Sequence, residues 1–118
     1  MTLVDTSIWI DHFRCGNPGL SLALQNSEVI THPFIIGEIA CGNLRQRTDI
    51  LFHLQKLPRI EPVSEMEFFT FINARQLSGR GMGFVDLHLL AAAKVNRTRL
   101  WTLDTRLARH ANHLLSRH

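Results

Sequence analysis

Four short strand-forming runs punctuate this chain: Thr2 to Val4, Glu28 to Thr31, Ile60 to Val63 and Arg99 to Leu103. Each is followed by a longer stretch with apolar residues at helical spacing. That alternation leaves few folds open and reads as α/β with a mainly parallel sheet. The 118 residues suffice for one such domain, spanning 1–118, with a core that needs no metal or disulfide staple.

Local helix signals agree with this reading. In SEMEFFTFINARQL, Ser64 and Glu67 have capping-box spacing, and Met66, Phe69, Ile72 and Leu77 are spaced to share one helix face. In THPFIIGEIACGN, Thr31 or His32 can cap a helix in which Pro33 takes an early position, where its missing N–H does no harm. Gly42-Asn43 ends or bends that helix before LRQRTDILFHLQKL begins another. SGRGMG, with glycines at 79, 81 and 83, is an irregular loop leading into FVDLHLLAAAKV.

Composition narrows the function classes. Hydrophobic residues make up 45% of the chain, yet no apolar run approaches the roughly 18 residues of a membrane span. An acid at position 5 precedes any basic or long apolar segment of the kind a signal peptide needs. Cys15 and Cys41 have no zinc-like spacing and read as reduced thiols, so a bacterial-type cytoplasm is expected. The seven histidines include no HExxH pair, which argues against a zinc enzyme. The net charge of +3 leans mildly toward a polyanionic partner.

The chemistry lies in the acids. Asp5 ends LVD, Asp104 ends LWTLD, and Asp86 follows the glycine loop, each standing just before a helix. An aspartate there is a favoured N-cap, so capping alone accounts for any one of them. Glu38, inside FIIGEIACG, caps nothing. Among Ile35, Ile36, Ile39 and Ala40 it either faces water on an amphipathic helix or is drawn from solvent at a cost that a cation or hydrogen bonds must offset. Ligands of parallel sheets bind at the carboxyl ends of the strands, where Asp5 and Asp104 emerge. Four carboxylates gathered there raise one another's pKa values unless a divalent cation neutralises them, and hard oxygen donors suit Mg²⁺ or Mn²⁺.

LVDTSIW, IIGEIACGNL, FVDLHLLAAA and LWTLDTRLARHA, in this order and spacing, resemble the PIN-domain ribonucleases, specifically the VapC-type toxins of bacterial toxin–antitoxin pairs. The resemblance implies a three-layer α/β/α sandwich around a parallel sheet of four or five strands, and a homodimer. It implies a Mg²⁺- or Mn²⁺-dependent endoribonuclease that leaves 5′-phosphate and 3′-hydroxyl ends and is held inactive by a VapB-type antitoxin lying across the groove. Carried onto this sequence, the catalytic and metal-binding quartet is Asp5, Glu38, Asp86 and Asp104. Ser7 and Thr102 sit where the family often has hydroxyls that orient the carboxylates. Many relatives carry a further acid two residues after the last aspartate; here that position is Arg106. Glu38 is either a ligand or the base that orients the water.

Arg14, Arg80 and Arg106 are candidates for contacts to RNA phosphates, each also readable as a solvated surface charge. Trp9, spaced with Phe13, reads as core or dimer packing rather than a base-stacking platform, and Asp11 as facing solvent or a neighbour. His88 reads as structural. A phosphoacceptor signalling domain would need adjacent acids after the first strand and a lysine after the last, but Thr6 and Ser7 follow Asp5 and the only lysines are Lys56 and Lys94. A structure-specific DNA nuclease of the wider PIN-like group is typically longer. A binding module whose acids are only caps predicts that Asp5→Asn spares any activity.

Overall fold

The structure, a computed structural model, describes residues 1–115, so the last three positions of the expected 1–118 domain lie outside it. Among the described residues the order is β1 (Thr2–Val4), α1 (Thr6–Cys15), α2 (Pro18–Gln25), β2 (Val29–Ile30), α3 (Pro33–Cys41), α4 (Arg47–Leu54), α5 (Glu65–Arg75), α6 (Phe84–Asn96), β3 (Arg99–Trp101) and α7 (Thr105–Leu115). The strands form one parallel sheet in the order β2-β1-β3, flanked by the helices as a three-layer α/β/α fold requires. Leu3 lies between Ile30 and Leu100, and Val4 opposite Trp101. Leu3 and Val4 are fully buried, as expected of a central strand covered on both faces. None of these helices is long and apolar enough to cross a membrane.

The fourth expected strand, Ile60 to Val63, does not form. The sheet edge instead continues as a single parallel bridge between Thr31 and Arg59, in which the Thr31 N–H donates to Pro58 O (2.9 Å) and the Ile60 N–H to Thr31 O (2.8 Å). Pro58 and Pro62 have no N–H to extend that ladder, and Ser64 already turns the chain into α5. The described sheet therefore has three strands, not four or five.

Ser64 and Glu67 make both arms of the capping box. The face that α5 buries differs from expectation, however: Met66 and Phe69 are 80% and 54% exposed, while Phe68 and Phe71 are buried. Phe68 stacks on His88 of α6, with ring centroids 3.9 Å apart and planes at 4°. That contact orients the helix. Of the two proposed caps for α3, His32 does the work, its Nδ1 accepting the Phe34 N–H. Residues Leu87 to Ala93 of α6 are all buried, so this helix is an internal strut packed against α5, α7 and β3.

Candidate active site

Because β1 and β3 are parallel neighbours in register at Val4 and Trp101, the residues just beyond them are juxtaposed. The Asp5 N–H donates to Trp101 O (2.9 Å), carrying the pairing one step further. Asp5 occupies the N-cap position of α1, yet its side chain makes no cap hydrogen bond. Its Oδ2 instead accepts two hydroxyl protons, from Ser7 (2.9 Å) and Thr102 (2.7 Å). Those hydroxyls in turn accept N–H groups of the turn after β3, Ser7 Oγ from Leu103 (3.0 Å) and Thr102 Oγ1 from Asp104 (3.0 Å). A hydroxyl has one proton, and the bonds to Asp5 are shorter than the 3.3 Å approach of the two hydroxyls to each other, so Asp5 takes both protons. The carboxylate is only 7% exposed, and among the described residues nothing donates to its Oδ1.

Asp104 is a true cap: its Oδ1 accepts the N–H groups of Arg106 (2.9 Å) and Leu107 (3.0 Å). Its Oδ2 takes no bond among the described residues, so one oxygen starts the helix and the other is available. Asp86 is not the cap the sequence suggested. Gly83 holds that position and Asp86 lies in the first turn of α6, half-buried. Glu38 is helical as expected but exposed, so the reading that draws it from solvent is corrected. Ile35 and Ile39 turn inward, and residues 37 and 38 turn out. Thr6 at the start of α1 donates to Glu38 Oε1 at 2.6 Å, tying α3 to the Asp5 junction.

Electrostatics bring the four together. Asp86 is held above the usual carboxylate range first by burial, then by the charge of Asp5, with Asp104 and Glu38 adding to it; the Gly83 N–H opposes the shift. The charges of Asp5, Asp104 and Glu38, from three other segments, thus reach Asp86. No three His, Cys, Asp or Glu groups among the described residues stand close enough to grip an ion unaided.

Comparison with known proteins agrees with this architecture. The family model described as PIN domain matches residues 2–112. The chain belongs to the PIN-domain family. Over 108 residues it is 42% identical to a protein named Ribonuclease VapC32 in two strains of Mycobacterium tuberculosis, CDC 1551 and H37Rv, covering 91% of this chain and 87% of that relative. The PIN domain described here is of the VapC type.

The other expected residues fall in distinct places around this PIN domain. Ser7 and Thr102 flank Asp5 as described. Arg14 lies nine residues along α1 from Asp5, about 13 Å along the helix axis, where it lines a groove with Phe13 and the α3–α4 connection. Arg80 donates its Nε to Gln76 O (3.1 Å) in the glycine loop. Arg106 donates Nη1 to Gly81 O (3.3 Å), clasping that loop to α7. Trp9 is buried and stacks on Phe13 at 5.9 Å, which makes it core, and Asp11 accepts from Asn17 Nδ2 (3.1 Å). His88 is buried among Phe34, Phe68 and Phe84. Cys15 and Cys41 are free and exposed. Two contributors escaped sequence reasoning: Thr6, whose hydroxyl beside Asp5 was the available signal, and Gly83, whose N–H reaches Asp86.

Proposed function

We propose that this PIN domain is an endoribonuclease, the toxin of a toxin–antitoxin pair, which hydrolyses RNA phosphodiester bonds with Mg²⁺ or Mn²⁺ held by Asp5, Glu38, Asp86 and Asp104. The observation that carries the reading is the Asp5 carboxylate, which stands at a helix cap yet bonds Ser7 and Thr102 instead, beside Asp104; burial, and then the charges of Asp5, Asp104 and Glu38, raise the proton affinity of Asp86. The identity to a protein named as a ribonuclease supports the substrate class. The donor set also fits a hard cation: carboxylate oxygens only, with Asp5 Oδ1 and Asp104 Oδ2 not engaged by their neighbours. Since no three acids among the described residues close on one point, these carboxylates would hold such an ion partly through water, which suits Mg²⁺.

Bound in this crevice, the cation supplies a lowered pKa for the attacking water and offsets charge on the scissile phosphate. The chain's own residues do the rest. Ser7 and Thr102 lock Asp5 so that Oδ1 faces its task at no reorganisation cost. Asp104 is immobilised by its own helix start. Glu38, the exposed member, has Oε1 fixed by Thr6 and leaves Oε2 either to hold the cation or to accept the proton of the attacking water. Water attacks phosphorus in line as the bond to the 3′ oxygen breaks; that oxygen takes a proton from solvent, giving 5′-phosphate and 3′-hydroxyl ends.

The same reading supplies a VapB-type antitoxin as the inhibitory partner, a homodimer as the working unit, the cytoplasm as its compartment, and residues 1–118 as one domain. Expression without an antitoxin tests it. Wild-type protein is expected to arrest a bacterial host and generate new RNA 5′ ends, and Asp5→Asn to do neither; equal arrest by both removes the catalytic assignment.

A further inference from the structure

We propose that the cleft between the α5–α6 connection and α7 is a track for the RNA backbone flanking the scissile phosphate. This rests on the ribonuclease reading above and extends it to a surface outside the acidic centre. The cleft, of about 310 Å³, is lined by Arg75, Arg80, His110 and His113 over a floor of Leu77 and Leu114, with no carboxylate among its described lining residues. All four polar side chains are N–H donors in every protonation state, as a phosphate ligand requires. Arg75 is steadied over the Phe71 ring at 4.7 Å, and among the described residues Arg80 commits only its Nε, to Gln76 O.

Helix geometry connects this cleft to the carboxylates. Arg106, His110 and His113 are spaced i, i+4 and i+7 on α7 and so share one face, over about 10 Å of rise. Arg106 stands two residues after Asp104, and its guanidinium bonds Gly81 O, one residue from Arg80. A line of N–H donors therefore starts beside the acidic centre and runs away from it between the helix and the loop. The scissile phosphate belongs at the carboxylates, and the phosphates beside it need donors of this kind. The leucine floor offers apolar contact but no hydrogen-bond code, so the track holds the strand without reading its bases.

Fluorescence anisotropy of the full-length protein with labelled oligouridine of about 12 and about 4 nucleotides, in EDTA and across a salt series, tests this. Arg75 and Arg80 are exposed, so Arg75→Gln/Arg80→Gln leaves the fold in place, which an unchanged melting curve verifies. The double variant is expected to lose roughly tenfold in affinity for the longer strand, with a salt slope smaller by about 1.4, while binding of the shorter strand is unchanged. Arg75→Lys/Arg80→Lys is expected to keep the slope. Unchanged affinity and slope for the longer strand, or an equal loss for both lengths, overturns the track alone. Wild-type protein that binds neither strand, in Mg²⁺ as well as in EDTA, overturns the ribonuclease reading with it.

Discussion

Thr102 donates its hydroxyl to Asp5 at 2.7 Å across 97 residues of sequence, because the strands that precede the two residues are parallel neighbours in register. Asp5 sits where a helix cap belongs and yet its carboxylate takes no helix N–H group, only that bond and the one from the Ser7 hydroxyl. Capping alone does not require this.

Removing either hydroxyl is therefore expected to damage function more than stability. Ser7→Ala or Thr102→Ala leaves Asp5 with one donor, and losses of this outer-shell kind cost about 10- to 100-fold in metal affinity or activity. Titrating RNA cleavage against Mg²⁺ for each variant should show the activation midpoint moved to higher concentration, with Thr102→Ser nearer to wild type. An unmoved midpoint would mean the hydroxyls serve packing only.

Asp86 carries the opposite liability. Its pKa in the fold is raised above the unfolded value of 3.8, so the stability it contributes is whole below that value and is lost as pH rises through its folded pKa. At neutral pH the ionised group burdens the metal-free fold. Asp86→Asn is expected to raise the melting temperature in EDTA while abolishing cleavage. A lower melting temperature would show that the bond from the Gly83 N–H, not burial and charge crowding, dominates at this position.

How much of this was legible in the sequence follows from which signals are local. Asp5 and Asp104 were legible because a strand end followed by a helix start needs only a few residues to declare itself. Asp86 was found but misplaced within its helix, since Gly83 has no side chain to advertise its role as cap. Glu38 was left between two readings for a different reason: Ile35 and Ile39 flank it in sequence but lie on another face of the helix. In EMEFFTFI two apolar faces compete, and only the stacking of Phe68 on His88, which comes from elsewhere in the chain, decides between them. The missing strand shows the same limit, because prolines at 58 and 62 weaken a run whose residues otherwise favour it.

His32 gives the fold a pH dependence. Burial, and then the charge of His88, hold its imidazole at about 4, against 6.5 when unfolded. Stability from this group is whole above pH 6.5 and is lost as pH falls toward 4, by about 3 kcal/mol in all for a shift of this size. His88, lowered by burial, adds in the same direction. Urea melts at pH 7 and pH 5 should show the loss, and His32→Asn, which keeps a side-chain acceptor for the Phe34 N–H, should flatten it. An unflattened profile would assign the effect to other groups.

The clasp between Arg106 and the glycine loop makes a non-additive prediction. Gly81 has φ of +83°, and a Cβ there would lie 2.7 Å from Arg106 Cζ. Gly81→Ala is expected to cost about 1–2 kcal/mol from backbone strain, with the collision added. In Gly81→Ala/Arg106→Ala the collision is gone, so the pair should cost less than the two singles summed. Simple additivity in denaturant melts would show that the guanidinium does not bear on the loop.

The central claim, that four converging carboxylates make this PIN domain a metal-dependent ribonuclease, is tested most directly by cleavage of total bacterial RNA with purified protein. Wild-type protein is expected to cut in Mg²⁺ or Mn²⁺, to stop in EDTA, and to leave 5′-phosphate ends, while Asp5→Asn, purified identically and equally folded, cuts nothing. Cleavage by Asp5→Asn at the wild-type rate, or wild-type cleavage undiminished by EDTA, would contradict the account.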